Sequence, residues 1–141
     1  MVLRFSFGCP RFSLSVDYWE VQARSETLED ASLDKESILE QIIVKNPSIL
    51  SDRWMLIGRQ VKTMHGGSPD LMALNQDGSL IVIELKRNQT PREVVAQALD
   101  YASWAQGLAS DEVASIYTRF SNGGSLGEDF QKRFELKLDE D

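Results

Sequence analysis

Residues 68–86 read Ser-Pro-Asp-Leu-Met-Ala-Leu-Asn-Gln-Asp-Gly-Ser-Leu-Ile-Val-Ile-Glu-Leu-Lys. Two apolar runs flank Gln76-Asp77-Gly78. They read as strands over 70–75 and 80–86, and Leu80-Ile81-Val82-Ile83 is apolar enough to lie centrally in a sheet. The connection reads as a three-residue hairpin loop, a type I turn closed by a glycine in the left-handed conformation. Asn75 then faces Ser79, Asp70 faces Glu84 and Ser68 faces Lys86. Directly opposite Cβ atoms lie about 4.5–5.5 Å apart. Two carboxylates at that distance repel, and a hard cation such as Mg2+ between them removes the conflict. A two-residue Asp77-Gly78 turn would instead shift the register by one and send the carboxylates to opposite faces.

Period-two alternation places Glu84 and Lys86 on one face and Leu85 on the other. An ammonium group beside a carboxylate pair suits metal-assisted phosphodiester hydrolysis, in which the metal engages the phosphate and the lysine stabilises developing charge. One Asp…Glu-x-Lys spacing is common in ordinary sheets. Here the strand bearing Glu84 is otherwise apolar, so a merely solvated polar face is a poor account of it.

Upstream, a helix is expected from Ser32 or Asp34 to Lys45, with Leu33, Ile38, Leu39, Ile42 and Ile43 on its apolar face. Asn46-Pro47 ends it, because the residue before proline is pushed out of the α region. Residues 54–63 read as a strand, with Ile57, Arg59 and Val61 on one side. His65-Gly66-Gly67-Ser68-Pro69 reads as a turn. Downstream, Thr90, Pro91 and Glu93 have the N-cap, N1 and N3 signals of a helix that runs to Gln106 and closes on Gly107. Residues 111–120 are ambiguous between strand and helix, residues 121–127 read as a loop, and residues 130–138 as helical. Near the start, residues 17–23 read as a short strand.

Composition bounds the chemistry. The chain has 141 residues, 42% hydrophobic and 26% charged, which suits one globular domain. Cys9 and His65 are the only cysteine and histidine, which excludes a disulfide framework and the familiar Cys/His zinc sites. Any divalent metal would be held by oxygen. No apolar run approaches the ~18 residues of a membrane helix, and Arg4, Pro10 and Arg11 break up the N-terminal apolar stretch, so no membrane partner and a cytoplasmic location are expected. The net charge of −7 argues against nucleic acid when averaged over the chain. The segment Arg53–Arg92 departs from that average, with six Lys/Arg against three acids.

These motifs together resemble the PD-(D/E)xK nuclease superfamily. Ser68-Pro69-Asp70 … Glu84-Leu85-Lys86 is similar to its signature, and Gln97-Ala98-Leu99-Asp100-Tyr101 is similar to the Q-x-x-x-Y element of the RecB-like branch. Glu36-Ser37-Ile38-Leu39-Glu40 … Asn46-Pro47 resembles the first helix of the NucS/EndoMS-type endonuclease group, as do residues 57–61 and 82–87. The resemblance implies an α/β fold of the restriction-endonuclease-like kind, with a mixed β-sheet flanked by helices. It implies a metal-dependent DNA nuclease, an endonuclease of repair or defence type, using Mg2+ or Mn2+.

Carried over motif by motif, Asp70, Glu84 and the Leu85 main-chain carbonyl are the metal ligands. Lys86 is the motif lysine and Glu36 the first-helix acid, with Glu40 as the alternative one turn later. Gln97 and Tyr101 face the active centre, and core packing is the competing reading of Tyr101. Arg59, Lys62, Arg87 and Arg92 are candidate phosphate contacts. DNA and a second copy of the chain are the candidate partners. Residues 1–16 then form an N-terminal extension and residues 17–141 a single nuclease-like domain, with the core motifs over 32–108. The chain departs from the family in having no room for its separate DNA-binding and dimerisation domain, and in being polar and loop-rich after Gly107. The competing function is a non-catalytic nucleic-acid- or protein-binding module on the same fold.

Overall fold

The computed structural model describes residues 2–4, 6–7, 17–19, 35–85 and 91–138. In chain order the elements are β1 (Val2–Arg4), β2 (Ser6–Phe7), β3 (Asp17–Trp19), α1 (Lys35–Lys45), a 3-10 turn (Pro47–Ile49), β4 (Trp54–Arg59), β5 (Leu71–Asn75), β6 (Leu80–Ile83), α2 (Pro91–Gln106), α3 (Ser110–Phe120) and α4 (Leu126–Phe134).

The β5–β6 hairpin organises the molecule. Gly78 has φ +82°, and its N–H donates to the Asn75 carbonyl at 2.9 Å while the Asn75 N–H donates to Ser79 O at 2.9 Å. The Asp77 carboxylate stiffens the loop by accepting from the Ser79 N–H at 2.9 Å and the Ser79 hydroxyl at 2.5 Å. This is the three-residue loop read from the sequence. The register follows from it: Leu71 pairs with Ile83, Met72 with Val82, Ala73 with Ile81 and Leu74 with Leu80.

The sheet order is β2-β6-β5-β4, and each of these pairings is antiparallel. The expected N-terminal extension supplies β2, which lies against Leu80 and Ile81, and β1, which pairs with β3. Every residue of β5 and β6 is buried, as expected for strands covered on both faces. One face bears Met72, Leu74, Leu80 and Val82 and packs against Tyr101 and Trp104 of α2, Ile116 of α3, and Leu126 and Phe130 of α4. The other bears Leu71, Ala73, Ile81, Ile83 and Leu85 and packs against Ile43 and Leu39 of α1. This is an α/β arrangement with a helix-flanked sheet, the layering of a restriction-endonuclease-like core.

The structure revises the readings of β4 and α4 and resolves that of residues 110–120. The strand expected over 54–63 ends at Arg59, and Gln60 follows with φ +49°. A β-bulge between Leu56 and Gly58 sets Ile57 and Gly58 toward the α3 face, and Arg59 consequently turns toward α1. One inserted residue inverts the faces beyond it, so Ile57 and Arg59 do not share a side. Gly58 is required at the bulge, because a Cβ there would stand 2.9 Å from Ile116 Cγ2 and 2.8 Å from Val61 Cγ2.

Residues 110–120 resolve as helix. The Glu112 carboxylate accepts from the Ala109 N–H at 2.8 Å, and first-turn Asp111 and Glu112 complement the helix dipole. Finally, α4 spans Leu126–Phe134, not 130–138, and buries Leu126 and Phe130.

The two C-terminal helices are tied to each other and to the sheet. The Tyr117 hydroxyl donates to Asp129 Oδ2 at 2.8 Å, and burial, with that carboxylate beside it, pushes the phenol up to about 12. Arg133 Nη2 donates at 2.8 Å to the Trp54 carbonyl on β4. Among the described residues no helix is long and apolar enough to cross a membrane.

Candidate active site

The hairpin register carries Asp70 and Glu84 to the end of the β5–β6 ladder, one step beyond the Leu71–Ile83 pair. Ile83 and Leu85 both join the α1-side cluster, so alternation turns Glu84, between them, to the opposite face. The two acids interlock through the main chain. Glu84 Oε2 accepts from the Asp70 N–H at 3.3 Å, and Asp70 Oδ2 accepts from the Leu85 N–H at 2.7 Å. Glu84 is 1% exposed. A carboxylate so deeply placed requires compensation by hydrogen bonds or cations.

A second set of contacts reaches Asp70 from α1 and the end of β4. Glu40 is 5% exposed. Its Oε1 pairs with Arg59 Nε, and its Oε2 accepts from Gln60 Nε2 at 2.9 Å. The same Gln60 Nε2 donates to Asp70 Oδ1 at 3.0 Å, and the Gln60 N–H donates to the Asp70 carbonyl at 3.0 Å. Arg59, Glu40, Gln60, Asp70 and Glu84 therefore form a continuous polar network from α1 to the sheet's end.

Of the two first-helix acids, Glu40 joins this network, and Glu36 lies half-buried one turn earlier. The apolar face read for α1 included Ile42, which is 44% exposed. The inward stripe runs instead through buried Glu40 and Ile43, flanked by half-buried Leu39 and Val44, so a charged residue occupies a core-facing position.

Gln97 and Tyr101 are together on α2. Gln97 Nε2 donates to the Tyr101 hydroxyl at 3.1 Å. Tyr101 is 4% exposed and belongs to the core. Both also line a cleft of about 500 Å3 against the 63–67 turn, with His65, Gly67, Glu93 and Asp100. Among the described residues, buried Gln97 Oε1 has no hydrogen-bond partner. The core reading and the site-facing reading of Tyr101 thus describe different parts of one side chain: a packed ring and a hydroxyl at a cleft.

Lys86, Arg87 and the Thr90 cap lie outside the described residues. Lys62 and Arg92 are exposed. Arg59 holds Glu40 through Nε, which ties to the protein a guanidinium assigned from sequence to a phosphate. Gln60 was not singled out from sequence. Its place depends on the bulge in β4 and on its own left-handed backbone, and neither leaves a periodic signal.

Among the described residues no group of three or more His, Cys, Asp or Glu side chains converges as a ready-made metal cage. The donors at Asp70, Glu84 and the Leu85 carbonyl are all hard oxygens. Mg2+ characteristically takes one or two carboxylates and keeps several waters, so this donor set fits such an ion chemically.

No protein-family model matches the chain, and no solved structure gives a significant match. The chain is similar to three proteins named endonuclease NucS. It is 30% identical to that of Pyrococcus horikoshii over 112 residues, covering 76% of this chain and 44% of the relative. For Thermococcus kodakarensis the identity is 28%, with the same coverage. For Pyrococcus furiosus it is 27%, covering 76% of this chain and 42% of the relative. The chain thus spans less than half the length of these curated relatives.

Proposed function

We propose that the chain is a metal-dependent DNA endonuclease domain of repair or defence type. The observation that carries this reading is the convergence of Asp70 and Glu84 at one end of the β5–β6 hairpin, each accepting a main-chain N–H from the other's strand. Similarity to proteins named endonuclease supports it. Asp70, Glu84 and the Leu85 carbonyl would hold Mg2+ or Mn2+. When bound, the ion would supply Lewis-acid polarisation of a phosphodiester and lower the pKa of a water.

The protein's own residues would do the rest. Asp70 and Glu84 fix the oxygen donors. Lys86, the lysine of the Glu-x-Lys motif, would stabilise negative charge developing on the phosphate. Glu40 stands behind Asp70 through Gln60, and takes the place that the first-helix acid has in the family resemblance. Gln97 Oε1, buried and unsatisfied at the cleft, provides an acceptor for a substrate or water N–H or O–H group. Lys62, Arg87 and Arg92 contribute phosphate contacts and so position DNA without reading its sequence.

A panel of end-labelled single strands, duplexes, flaps and mismatched duplexes tests the reading. Cleavage of at least one member is expected with Mg2+ or Mn2+ and not with EDTA, and Asp70→Ala is expected to abolish it. DNA binding with no cleavage of any member under either metal would establish the binding-module reading instead.

A further inference from the structure

We infer that Gln60 is a positioning residue that orients the Asp70 carboxylate while leaving its negative charge intact for a cation. The inference rests on the proposed metal role of Asp70.

Gln60 holds Asp70 twice. Its main-chain N–H donates to the Asp70 carbonyl, and its side-chain Nε2 donates to Asp70 Oδ1. With Oδ2 on the Leu85 N–H, each oxygen of the carboxylate has a donor, and the plane of the group is set. The second proton of Nε2 goes to Glu40 Oε2. A primary amide has two N–H donors on one nitrogen, so a single atom links the two acids. The opposite amide orientation would set Oε1 against two carboxylates and is electrostatically excluded.

The residue type matters. A lysine or arginine at position 60 could make the same bonds, but it would cancel the charge that a cation at Asp70 needs. A carboxylate would add a third acid with no donor. Glutamine donates, adds no charge, and is long enough to bridge. Glu40 is balanced separately by Arg59 on its other oxygen.

The backbone supports a site-directed role. Gln60 takes φ +49°, a conformation that disfavours residues with a Cβ and that glycine takes freely. A glycine would suit the turn better, so the side chain is kept there against local preference. Strain of this kind concentrates at functional sites.

That contrast provides the test. Gln60→Gly relieves the backbone and deletes the bridge. If residue 60 serves only the turn, Gln60→Gly should match or exceed the wild type in every respect. If it positions Asp70, Mn2+ affinity should fall about 10–100-fold, the usual effect of removing a partner of a metal ligand, with the melting temperature unchanged or raised.

The measurement is calorimetric titration of wild type, Gln60→Gly and Asp70→Ala with Mn2+ alone, alongside thermal melts. Weakened binding by a Gln60→Gly variant that melts no earlier than wild type supports the inference. Wild-type-like Mn2+ affinity in Gln60→Gly, with binding still lost in Asp70→Ala, overturns it and leaves the proposed function standing. Absence of Mn2+ binding in the wild type overturns the proposed function and this inference with it.

Discussion

Lys86→Ala is expected to slow DNA cleavage about 10²–10³-fold, the typical cost of losing one donor aimed at transition-state charge. The Leu71–Ile83 pairing and the loop at Gly78 fix the register that brings Glu84 beside Asp70, and the sequence alternation expects Lys86 on the side of Glu84. The proposed role of Lys86 is to act on a phosphate whose negative charge grows as the bond breaks. The loss should fall on kcat. Mn2+ binding should persist, because Asp70 and Glu84 are untouched, and Lys62, Arg87 and Arg92 should preserve most DNA affinity. Single-turnover cleavage at saturating enzyme separates the two effects. A variant that cuts within about twofold of wild type would remove Lys86 from the chemistry.

Phe130→Ala is expected to destabilise the fold by about 3–5 kcal/mol, the usual range for removing a buried aromatic ring. Phe130 is 1% exposed and anchors α4 in the cluster that joins α2, α3 and the sheet. Its ring lies edge-on to Phe134, centroids 4.8 Å apart at 63°, a favoured geometry that adds to burial. Domains of this kind have only about 5–15 kcal/mol to lose, so the variant should unfold at a much lower urea concentration. The expected shift is in the midpoint. A change below about 1 kcal/mol would mean that α4 is a peripheral addition to the core.

The sequence reading was most successful where local chemistry dictates geometry. Gln76-Asp77-Gly78 has one strongly favoured turn, and that turn determined the strand register and hence the placement of Asp70 and Glu84. Pro47 marks the end of α1 for an equally local reason. The reading failed where tertiary packing overrides pattern. Glu40 is polar by composition, yet it occupies the core side of α1, because Arg59 and Gln60 meet it there. Arg59 faces α1 because of the bulge at Ile57–Gly58, where Val61 and Ile116 leave no space for a Cβ and glycine is required. Residues 110–120 contain β-branched and aromatic residues compatible with either state. Their helical form depends on the Glu112 cap and on burial of Ile116 and Tyr117. Gln60 escaped notice for the same reason: its role is created by contacts with residues 20 positions before it and 10 after it.

The central claim is that Asp70 and Glu84 share a divalent cation. Its most direct test is the position of Mn2+ in crystals of the protein, located by anomalous scattering. The account predicts an anomalous peak bonded to carboxylate oxygens of both Asp70 and Glu84, lost in Asp70→Ala. A Mn2+-saturated crystal with no peak between these two side chains, or with the ion held elsewhere, would contradict it.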